Sequence, residues 1–322
     1  MSKLQTRKVE EDEAGIRLDR WFKRHFPSIS HGELQKMLRT GQVRVGGKRA
    51  ESSTRIEPGQ EIRVPPQVAD APTEGPTKKS ARDASDIKKL IIYEDDDVLV
   101  LNKPAGLAVQ GGTGIRESID RMLESYATDK HGKPKLVHRL DRDTSGVLLV
   151  ARNTYSATRL TESFRHRDTQ KVYWGLTLGV PKPEKGRIET FLVKRGEKME
   201  VCGKKDEGAK NAITIYQNME RALFEAAFVA MWPVTGRTHQ LRVHMAHIDA
   251  PLFGDPLYGI PTPEGMPSDE LGKGLHLHAR RLILPHPRRG VIDATAPLGA
   301  EMKKTWKWFG FDANAEADFS EA

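Results

Sequence analysis

Cysteine is almost absent from the 322 residues of this chain, in which Cys202 is the only one. A single thiol excludes a disulfide framework and any zinc site that needs several cysteines. Long apolar runs are also missing, since none approaches the roughly 18 residues that suggest a membrane span. The opening stretch MSKLQTRKVEEDEAG contains no apolar segment of the kind that directs export. We therefore expect a cytoplasmic protein that is not inserted in a membrane.

Positive charge is what the chain has in excess, with 52 Lys and Arg residues against 44 Asp and Glu residues. Between Gly15 and Pro65 there are 11 basic residues against 5 acidic ones, so most of the net charge of +8 lies in a short segment. Such clustering favours a polyanionic partner such as nucleic acid. The alternative is a basic, solvated surface that binds nothing.

The composition changes along the chain in a way that predicts two domains. Residues 1–14 are expected to be a tail, 15–65 a small α/β domain, and 66–88 a flexible linker rich in Pro, Ala, Ser, Thr and charge. Residues 89–310 mix strands and helices without a regular alternation. This mixture predicts an α+β fold with a mixed, mostly antiparallel central sheet and flanking helices. Residues 311–322 are expected to be a disordered tail.

The small domain has two predicted helices followed by a basic strand. Leu18, Trp21 and Phe22 recur at helical spacing, and Ser30 with Glu33 fits a capping box at the start of the second helix. The segments AGIRLDRWF, SISHGELQKMLRTGQVRVGGKR and PGQEIRV resemble the alpha-L, or S4-like, RNA-binding domain. We expect one basic face to bind phosphates, formed by Lys36, Arg39, Arg44, Lys48 and Arg49.

The segment HRLDRDTSG is the first candidate for chemistry. Asp141 lies between Arg139 and Arg142, and neighbouring guanidinium groups favour the ionised form of a carboxylate. An ionised, fixed aspartate suits nucleophilic attack or charge stabilisation better than proton donation. Asp143 begins a turn in which we expect its side chain to bind backbone amides. The residues alone leave an equally good alternative, in which Asp141 is a turn or ion-pair residue.

The segment QKVYWGL predicts a strand in which Tyr173 and Trp174 point to opposite faces. A tyrosine on the cleft side can stack on a base, although a lone strand tyrosine is more often a core residue. The glycine-rich stretch NKPAGLAVQGGTG matches no nucleotide-binding motif. We interpret it as a mobile loop next to the site.

The segment VTGRTHQLRVHMAH predicts a turn followed by a helix that Thr238 caps. His239, His244 and His247 suggest a metal site at first sight. Their spacings do not match the three or four residues that separate ligands on one helix face, and no acidic third ligand is near. We therefore predict that this protein holds no metal.

Five segments together resemble one known family. NKPAGLAVQGG, VHRLDRDTSGVLLVAR, QKVYWGL, PVTGRTHQLRVHMAH and PLFGDPLYG occur in the order found in the pseudouridine synthases of large-subunit ribosomal RNA. The resemblance runs from about Ala14 to Phe309, and the synthases of type C carry the same small basic domain in front. It implies an isomerase that converts specific uridines in 23S ribosomal RNA, or in its assembly precursor, to pseudouridine. It also implies that neither a metal nor an organic cofactor is needed. We expect a monomer.

The resemblance assigns roles to four residues of this sequence. The catalytic aspartate of the family ends HRLD and so falls on Asp141. The arginine that enters the RNA as the target base leaves the stack falls on Arg139. The tyrosine that packs on the flipped base falls on Tyr173, and the arginine that pairs with the catalytic carboxylate falls on Arg242. The sequence does not depart from the family pattern at these positions.

Three alternatives remain at this stage. One is hydrolysis of a glycosidic bond by Asp141 and Asp143 as paired carboxylates, although two positions in one turn are poorly placed to flank a sugar. Another is a ribosome-assembly factor that binds RNA without catalysis. The third is a synthase of the same family that acts on other ribosomal positions or on transfer RNA.

Overall fold

The computed structural model describes residues 5–26, 29, 31–65, 81–112, 115, 117–128, 132–166, 169–223, 225–267 and 269–319. The chain forms two compact units that divide between residues 79 and 80. None of the helices in these ranges is long and apolar enough to cross a membrane.

The small unit is a three-stranded antiparallel sheet covered by two helices. The strands pair in the order β1-β3-β2. The elements are β1 (Gln5–Lys8), α1 (Leu18–His25), α2 (His31–Arg39), β2 (Arg44–Val45) and β3 (Glu61–Val64). Trp21 and Phe22 of α1 are fully buried, as their helical spacing predicts, and pack with Leu34, Ile56 and Ile62. Ser30, the predicted cap of α2, lies outside the described residues.

Part of the expected N-terminal tail belongs to this domain. Gln5–Lys8 pairs along its whole length with Glu61–Val64. The carboxylate of Glu13 is buried and accepts hydrogen bonds from Trp21 Nε1 at 2.9 Å and from His25 Nε2 at 2.5 Å. The prediction of a tail over residues 1–14 was therefore wrong for residues 5–14, because their partners lie far along the sequence.

The large unit is built on one sheet of eleven strands. Nine strands lie in the order β10-β9-β11-β12-β8-β13-β7-β5-β4, while β14 pairs with β13 and β6 with β7. Every pairing is antiparallel except that of β13 with β7. The expected mixed, mostly antiparallel sheet is confirmed. The strands are β4 (Ile91–Glu94), β5 (Val98–Lys103), β6 (Lys135–Leu136), β7 (Ser145–Ala151), β8 (Gln170–Leu178), β9 (Lys185–Arg195), β10 (Lys198–Cys202), β11 (Lys210–Arg221), β12 (Ala226–Pro233), β13 (Leu277–Pro285) and β14 (Val291–Thr295).

Helices cover both faces of the sheet. Leu160 of α5 and Trp306 of α7 are buried on one face, and the indole of Trp306 lies parallel to that of Trp174 at 6.2 Å. Ile87 of α3, Leu123 of α4 and Leu241 of α6 are buried on the other face. The helices are α3 (Ala81–Leu90), α4 (Ile119–Ser125), α5 (Thr154–Arg165), α6 (Gln240–His247) and α7 (Ala300–Phe309).

Two stretches expected to lack structure are ordered in the large unit. Residues 81–88 of the predicted linker form most of α3, because Ile87 is buried among the apolar side chains of β5 and β7. Residues 66–80 of that linker lie outside the described residues. The predicted C-terminal tail packs on the core through Phe311 and Phe319, which are only 7% and 5% exposed. Residues 320–322 are not described.

Candidate active site

A cleft of about 290 Å³ opens between the turn before β7, strand β8 and the start of α6. Its volume is near the lower end of the range for small-ligand pockets, roughly 300–1,000 Å³. The structure gathers in it all four residues that the sequence selected for the large domain. The lining includes Arg139, Asp141, Lys171, Tyr173, His239 and Arg242.

Strand β8 supplies the tyrosine by simple alternation of its side chains. Val172 and Trp174 are buried in the core on one face of the sheet. Lys171 and Tyr173 therefore lie on the opposite face, where both line the cleft. Burial, helped by the charge of Asp141, raises the pKa of Tyr173, so its phenol stays protonated at physiological pH.

Asp141 lies in a tight turn that leads into β7. The amide of Thr144 donates to the carbonyl oxygen of Asp141 at 3.2 Å. Gly146, two residues after Thr144, has a φ of +108°, and a Cβ atom at this position would lie 2.2 Å from the carbonyl oxygen of Ala279. Only glycine fits, because β7 and β13 meet here in their parallel pairing. The turn that carries Asp141 is thus held against the sheet.

Lys103, at the end of β5, binds the backbone of this turn and of the loop that follows β5. Its side chain is fully buried, and Nζ donates to the carbonyl oxygens of Pro104, Leu107 and Arg142 at 2.8–2.9 Å. Burial lowers the pKa of Lys103 to about 8, while the charges of Asp143 and Asp141 oppose that shift. Three carbonyl acceptors require three N–H donors, which an ammonium group supplies. No local sequence pattern indicates this role for the lysine.

The glycine-rich segment after Lys103 is packed rather than mobile in its first half. The amide of Gly106 donates to the carbonyl of Arg142, and Arg142 Nε donates back to the carbonyl of Gly106, both at 3.0 Å. Ala108 and Val109 are buried. Arg142 thus binds this loop, and Asp143 lies near Lys103 rather than in the cleft lining. The expected mobile loop was wrong here, because buried cross-links outweigh its glycine content.

His138 orients the HRLD segment as a neutral side chain. The amide of Leu149 donates to His138 Nε2 at 2.8 Å, and the imidazole stacks on Phe164 at 4.4 Å. Burial, together with the charge of Lys171, lowers the pKa of His138 to about 3. Its proton therefore resides on Nδ1, since Nε2 accepts.

Arg242, on α6, is bound to a partner that the sequence analysis missed. Its Nε and Nη2 donate to the two carboxylate oxygens of Asp255 at 2.7 and 2.6 Å, and both side chains are buried. We expected Asp141 to be the paired carboxylate, and the observed ion pair corrects this. Burial alone would lower the pKa of Arg242, but the hydrogen bonds and charge of Asp255, with the charge of Asp141, raise it. Asp255 belongs to the segment PLFGDPLYG.

The turn before α6 is held by a glutamine rather than by the predicted threonine cap. Gln240 Oε1 accepts from Thr235 Oγ1 at 2.7 Å and from the amide of Arg237 at 3.1 Å. The residue that precedes the helix is His239, at a left-handed φ of +52°, without a side-chain cap. Thr238 is exposed and caps nothing, because the side chain of Gln240 already accepts from this turn.

His239 lies within the cleft and is connected to the β9–β10 hairpin through Tyr258. His239 Nδ1 and the hydroxyl of Tyr258 are 2.9 Å apart, and that hydroxyl accepts from the amide of Met199 in β10 at 2.8 Å. Burial lowers the pKa of His239, although the charge of Asp141 opposes the shift. A neutral imidazole that accepts from Tyr258 carries its own proton on Nε2.

The remaining histidines of this segment do not form a metal site. His244 is buried with its two ring nitrogens 2.9 and 3.0 Å from the hydroxyls of Thr214 and Thr190. His247 is exposed. In the described ranges of the chain, no three His, Cys, Asp or Glu side chains are grouped so that they could hold a metal ion.

The basic residues selected in the small unit lie at its surface, except for the half-buried Arg44. Arg44 donates to the carbonyl oxygens of Gly41 and Gly47. The side chains of Arg44 and Arg49 both pass beside Gly41. Their role, with that of Lys36, Arg39 and Lys48, stays a prediction.

Comparisons with known proteins now identify the family. Residues 97–247 match the family model described as RNA pseudouridylate synthase, and residues 16–62 match the S4 domain. A protein of Rickettsia bellii called ribosomal large subunit pseudouridine synthase C is 37% identical, over 83% of this chain and 89% of that protein. The protein of that name from Escherichia coli is 36% identical, over 92% and 93% of the two chains.

The chain belongs to the RNA pseudouridine synthase family. The resemblance found in the sequence is confirmed for both domains. A solved structure, human RNA Pseudouridylate Synthase Domain Containing 4, has 28% identity and a TM-score of 0.60, and the match covers 70% of this chain and 95% of that one. The protein is thus an RNA pseudouridine synthase, which is an isomerase.

Proposed function

We propose that this pseudouridine synthase acts on specific uridines of 23S ribosomal RNA, with Asp141 as the reacting carboxylate. The observation that carries the proposal is the cleft that gathers Asp141 from the turn before β7, Tyr173 from β8 and Arg242 from α6. The choice of RNA rests on the relatives, which share the name ribosomal large subunit pseudouridine synthase C, and on the S4 domain. A cytoplasmic location follows from that substrate.

The reaction conserves every atom of uridine. The bond from ribose C1′ to the ring nitrogen breaks, the uracil turns over within the cleft, and C1′ bonds to a ring carbon that gives up its proton. The freed ring nitrogen takes up a proton, so the product is an isomer of uridine. An ionised Asp141 can attack the sugar, assist removal of a sugar proton, or add to the ring. The transfer is intramolecular, and no electron is gained or lost. We therefore expect that neither a metal nor an organic cofactor is needed, and that a monomer suffices.

Base flipping follows from the position of the site inside a cleft. A uracil stacked within folded RNA must leave the stack, at a cost of a few kcal/mol. Tyr173, protonated and held on β8, offers its ring to the flipped base. Arg139 is exposed at the entrance of the cleft, where it can enter the gap that the base leaves behind. Both contacts offset the cost of extrusion.

Hydrolysis by paired carboxylates fits this geometry poorly. Asp143 does not line the cleft, and its charge acts on the buried Lys103 instead. A glycosidase needs its two carboxyl groups on either side of the scissile bond. The product of this enzyme should therefore contain pseudouridine and no free uracil.

The replacement Asp141→Asn tests the proposal directly. We expect more than about a thousandfold loss of pseudouridine formation in a 23S transcript, since the nucleophile is removed, with RNA affinity retained. Asp143→Asn is the matched control and should keep at least a tenth of the activity. Full activity in Asp141→Asn would contradict the assignment and favour an RNA-binding factor.

The substrate is tested separately by mapping pseudouridine in a strain that lacks the protein. We expect the loss of a few sites in 23S ribosomal RNA and no change in transfer RNA. Losses confined to transfer RNA, or to the small subunit, would show that another RNA is the substrate.

A further inference from the structure

Lys171 is a cation in the cleft that the reaction described above does not use. It lies two positions before Tyr173 on β8, on the same face of the sheet, and it lines the cleft together with His138 and Phe164. The face is set by its neighbour Val172, which is buried in the core on the other side. Lys171 thus lies about 7 Å along the strand from the tyrosine.

The ammonium group of Lys171 has no hydrogen-bond or ion-pair partner among the described residues. Two other buried basic groups are paired: Arg242 of the cleft with Asp255, and Lys103 behind the turn of Asp141 with three carbonyl oxygens. Lys171 is mostly buried, and burial lowers its pKa. A desolvated cation without a counter-charge is costly. The folded state gains nothing visible from this charge.

Lys171 and Tyr173 differ in the charged groups that act on them. Asp141 influences the pKa of Tyr173, Lys103 and Arg242, whereas burial alone shifts that of Lys171. Lys171 lines the cleft together with His138, whose pKa its charge lowers, while Tyr173 is the residue of β8 on which the charge of Asp141 acts. A uracil held between Asp141 and Tyr173 leaves the far part of the cleft to the backbone of its own nucleotide.

We propose that Lys171 binds a phosphodiester of the RNA next to the flipped uridine and that this phosphate is the missing counter-charge. The inference rests on the proposed function, because it takes the occupant of the cleft to be a flipped nucleotide. An ammonium group binds phosphate as a point charge and requires no fixed fork geometry. The unpaired lysine lowers the stability of the free enzyme and gains its partner only in the complex.

Lys171→Met tests this proposal through three measurements on the full chain. The affinity for a 23S transcript should fall about tenfold, as expected for loss of a hydrogen bond to a charged group. The slope of log affinity against log salt should become shallower by about one unit. The midpoint of thermal unfolding without RNA should rise by about 2–4 °C, because an unpaired buried charge is removed.

Two further variants serve as controls. Lys171→Arg keeps the charge and should retain the wild-type salt slope. Lys303→Met removes an exposed lysine on α7, on the opposite face of the sheet, and should change neither the slope nor the unfolding midpoint.

Three outcomes would overturn the proposal. An unchanged salt slope with lost activity would show that Lys171 contacts the base instead. A lowered unfolding midpoint in Lys171→Met would show that the lysine is structural. Equal slopes for Lys171→Met and Lys303→Met would show an unspecific effect of net charge. Failure of the wild-type enzyme to modify the transcript would instead count against the proposed substrate, and the slope comparison would still be valid.

Discussion

Arg242 illustrates how a single residue can serve the site without binding the reacting group. Two N–H groups of its guanidinium donate to the carboxylate of Asp255. The Oδ1 atom of that carboxylate also accepts hydrogen bonds from the amides of Leu257 and Tyr258. The position of Arg242 is therefore fixed before any substrate enters. The charge of Asp141 helps to raise the pKa of Arg242, although the two side chains do not form a bidentate ion pair. Asp141 stays available to a ligand.

Replacing Arg242 by methionine should affect both stability and activity. Asp255 would be left as a buried charge without its partner, which costs about 3–5 kcal/mol of unfolding free energy. Urea denaturation should show this loss, and pseudouridine formation should fall while RNA affinity is retained.

The double variant Arg242→Met/Asp255→Asn separates the two effects. Asparagine still accepts the backbone amides through its oxygen but carries no charge, so most of the lost stability should return. Activity should not return, since the cation beside Asp141 is still missing. Recovery of full turnover would mean that Arg242 acts only as a structural residue.

Among single residues, Asp141, Tyr173 and Arg242 could be assigned to one site from the sequence. Each lies in a characteristic motif, and the motifs follow one another in a specific order along the chain. It missed Lys103, Lys171 and Asp255 for a physical reason. The partners of Lys103 and Asp255 lie in other segments, so that no local spacing reveals them, and Lys171 is distinctive only through the absence of a partner.

Among the elements that do not line the cleft, the β9–β10 hairpin is connected to it through Tyr258. Tyr258 accepts the amide of Met199 and binds His239, so the hairpin and the cleft share one hydroxyl group. Val243 of α6 also packs against Leu192 and Met199. Contact with the hairpin can thus change the position of His239.

Tyr258→Phe should loosen this connection while leaving the fold intact. The amide of Met199 loses its acceptor, at a cost of about 1–3 kcal/mol, so its hydrogen exchange should accelerate by roughly tenfold or more. Pseudouridine formation should slow because His239 loses its orienting partner. Tyr155→Phe on α5, whose hydroxyl binds the carbonyl of Pro287, is the matched control. Unaltered exchange at Met199 would contradict the coupling.

Strands with continuous apolar character were predictable, and those with weak patterns were not. The segment QKVYWGL predicted β8, whose side chains are mostly buried on both faces. The sequence did not predict β9 and β10, in which few positions are buried. Helix α3 was assigned to a linker because its segment is polar apart from a few positions. Its buried Ile87, with Leu90 beside it, packs the helix on the core.

Among the described residues, the buried His244, His276 and His278 and the half-buried His138 are neutral in the folded state. Burial lowers the pKa of His244, His276 and His278 to about 4 and that of His138 to about 3. In the unfolded chain a histidine titrates near 6.5. Below pH 6.5 the unfolded state therefore takes up protons that the folded state does not, and stability falls.

We expect the unfolding free energy to be greatest above pH 6.5 and to fall steeply from pH 6.5 towards 4. Each histidine contributes about 1.4 kcal/mol per pH unit within this window. Urea denaturation at several pH values between 5 and 7 measures the slope. His244→Gln should reduce it by the share of one histidine, whereas the exposed His166→Gln should not. A flat profile would contradict the neutral assignment of these side chains.

The parallel pairing of β13 with β7 has a consequence for the life of the newly made chain. Ser145 and Gly146, just after the turn of Asp141, pair with His278 and Ala279, and Ser145 Oγ lies 2.8 Å from His278 Nδ1. When residue 250 has just been added to the nascent chain, Asp141, Tyr173 and Arg242 have been synthesised. Strand β13, which packs against the turn of Asp141, has not. Because this contact spans more than a hundred residues, closing it is slow and late. A nascent chain of 250 residues therefore carries its reacting groups in an unassembled form, and it can become active only after the last strands of the sheet have been made.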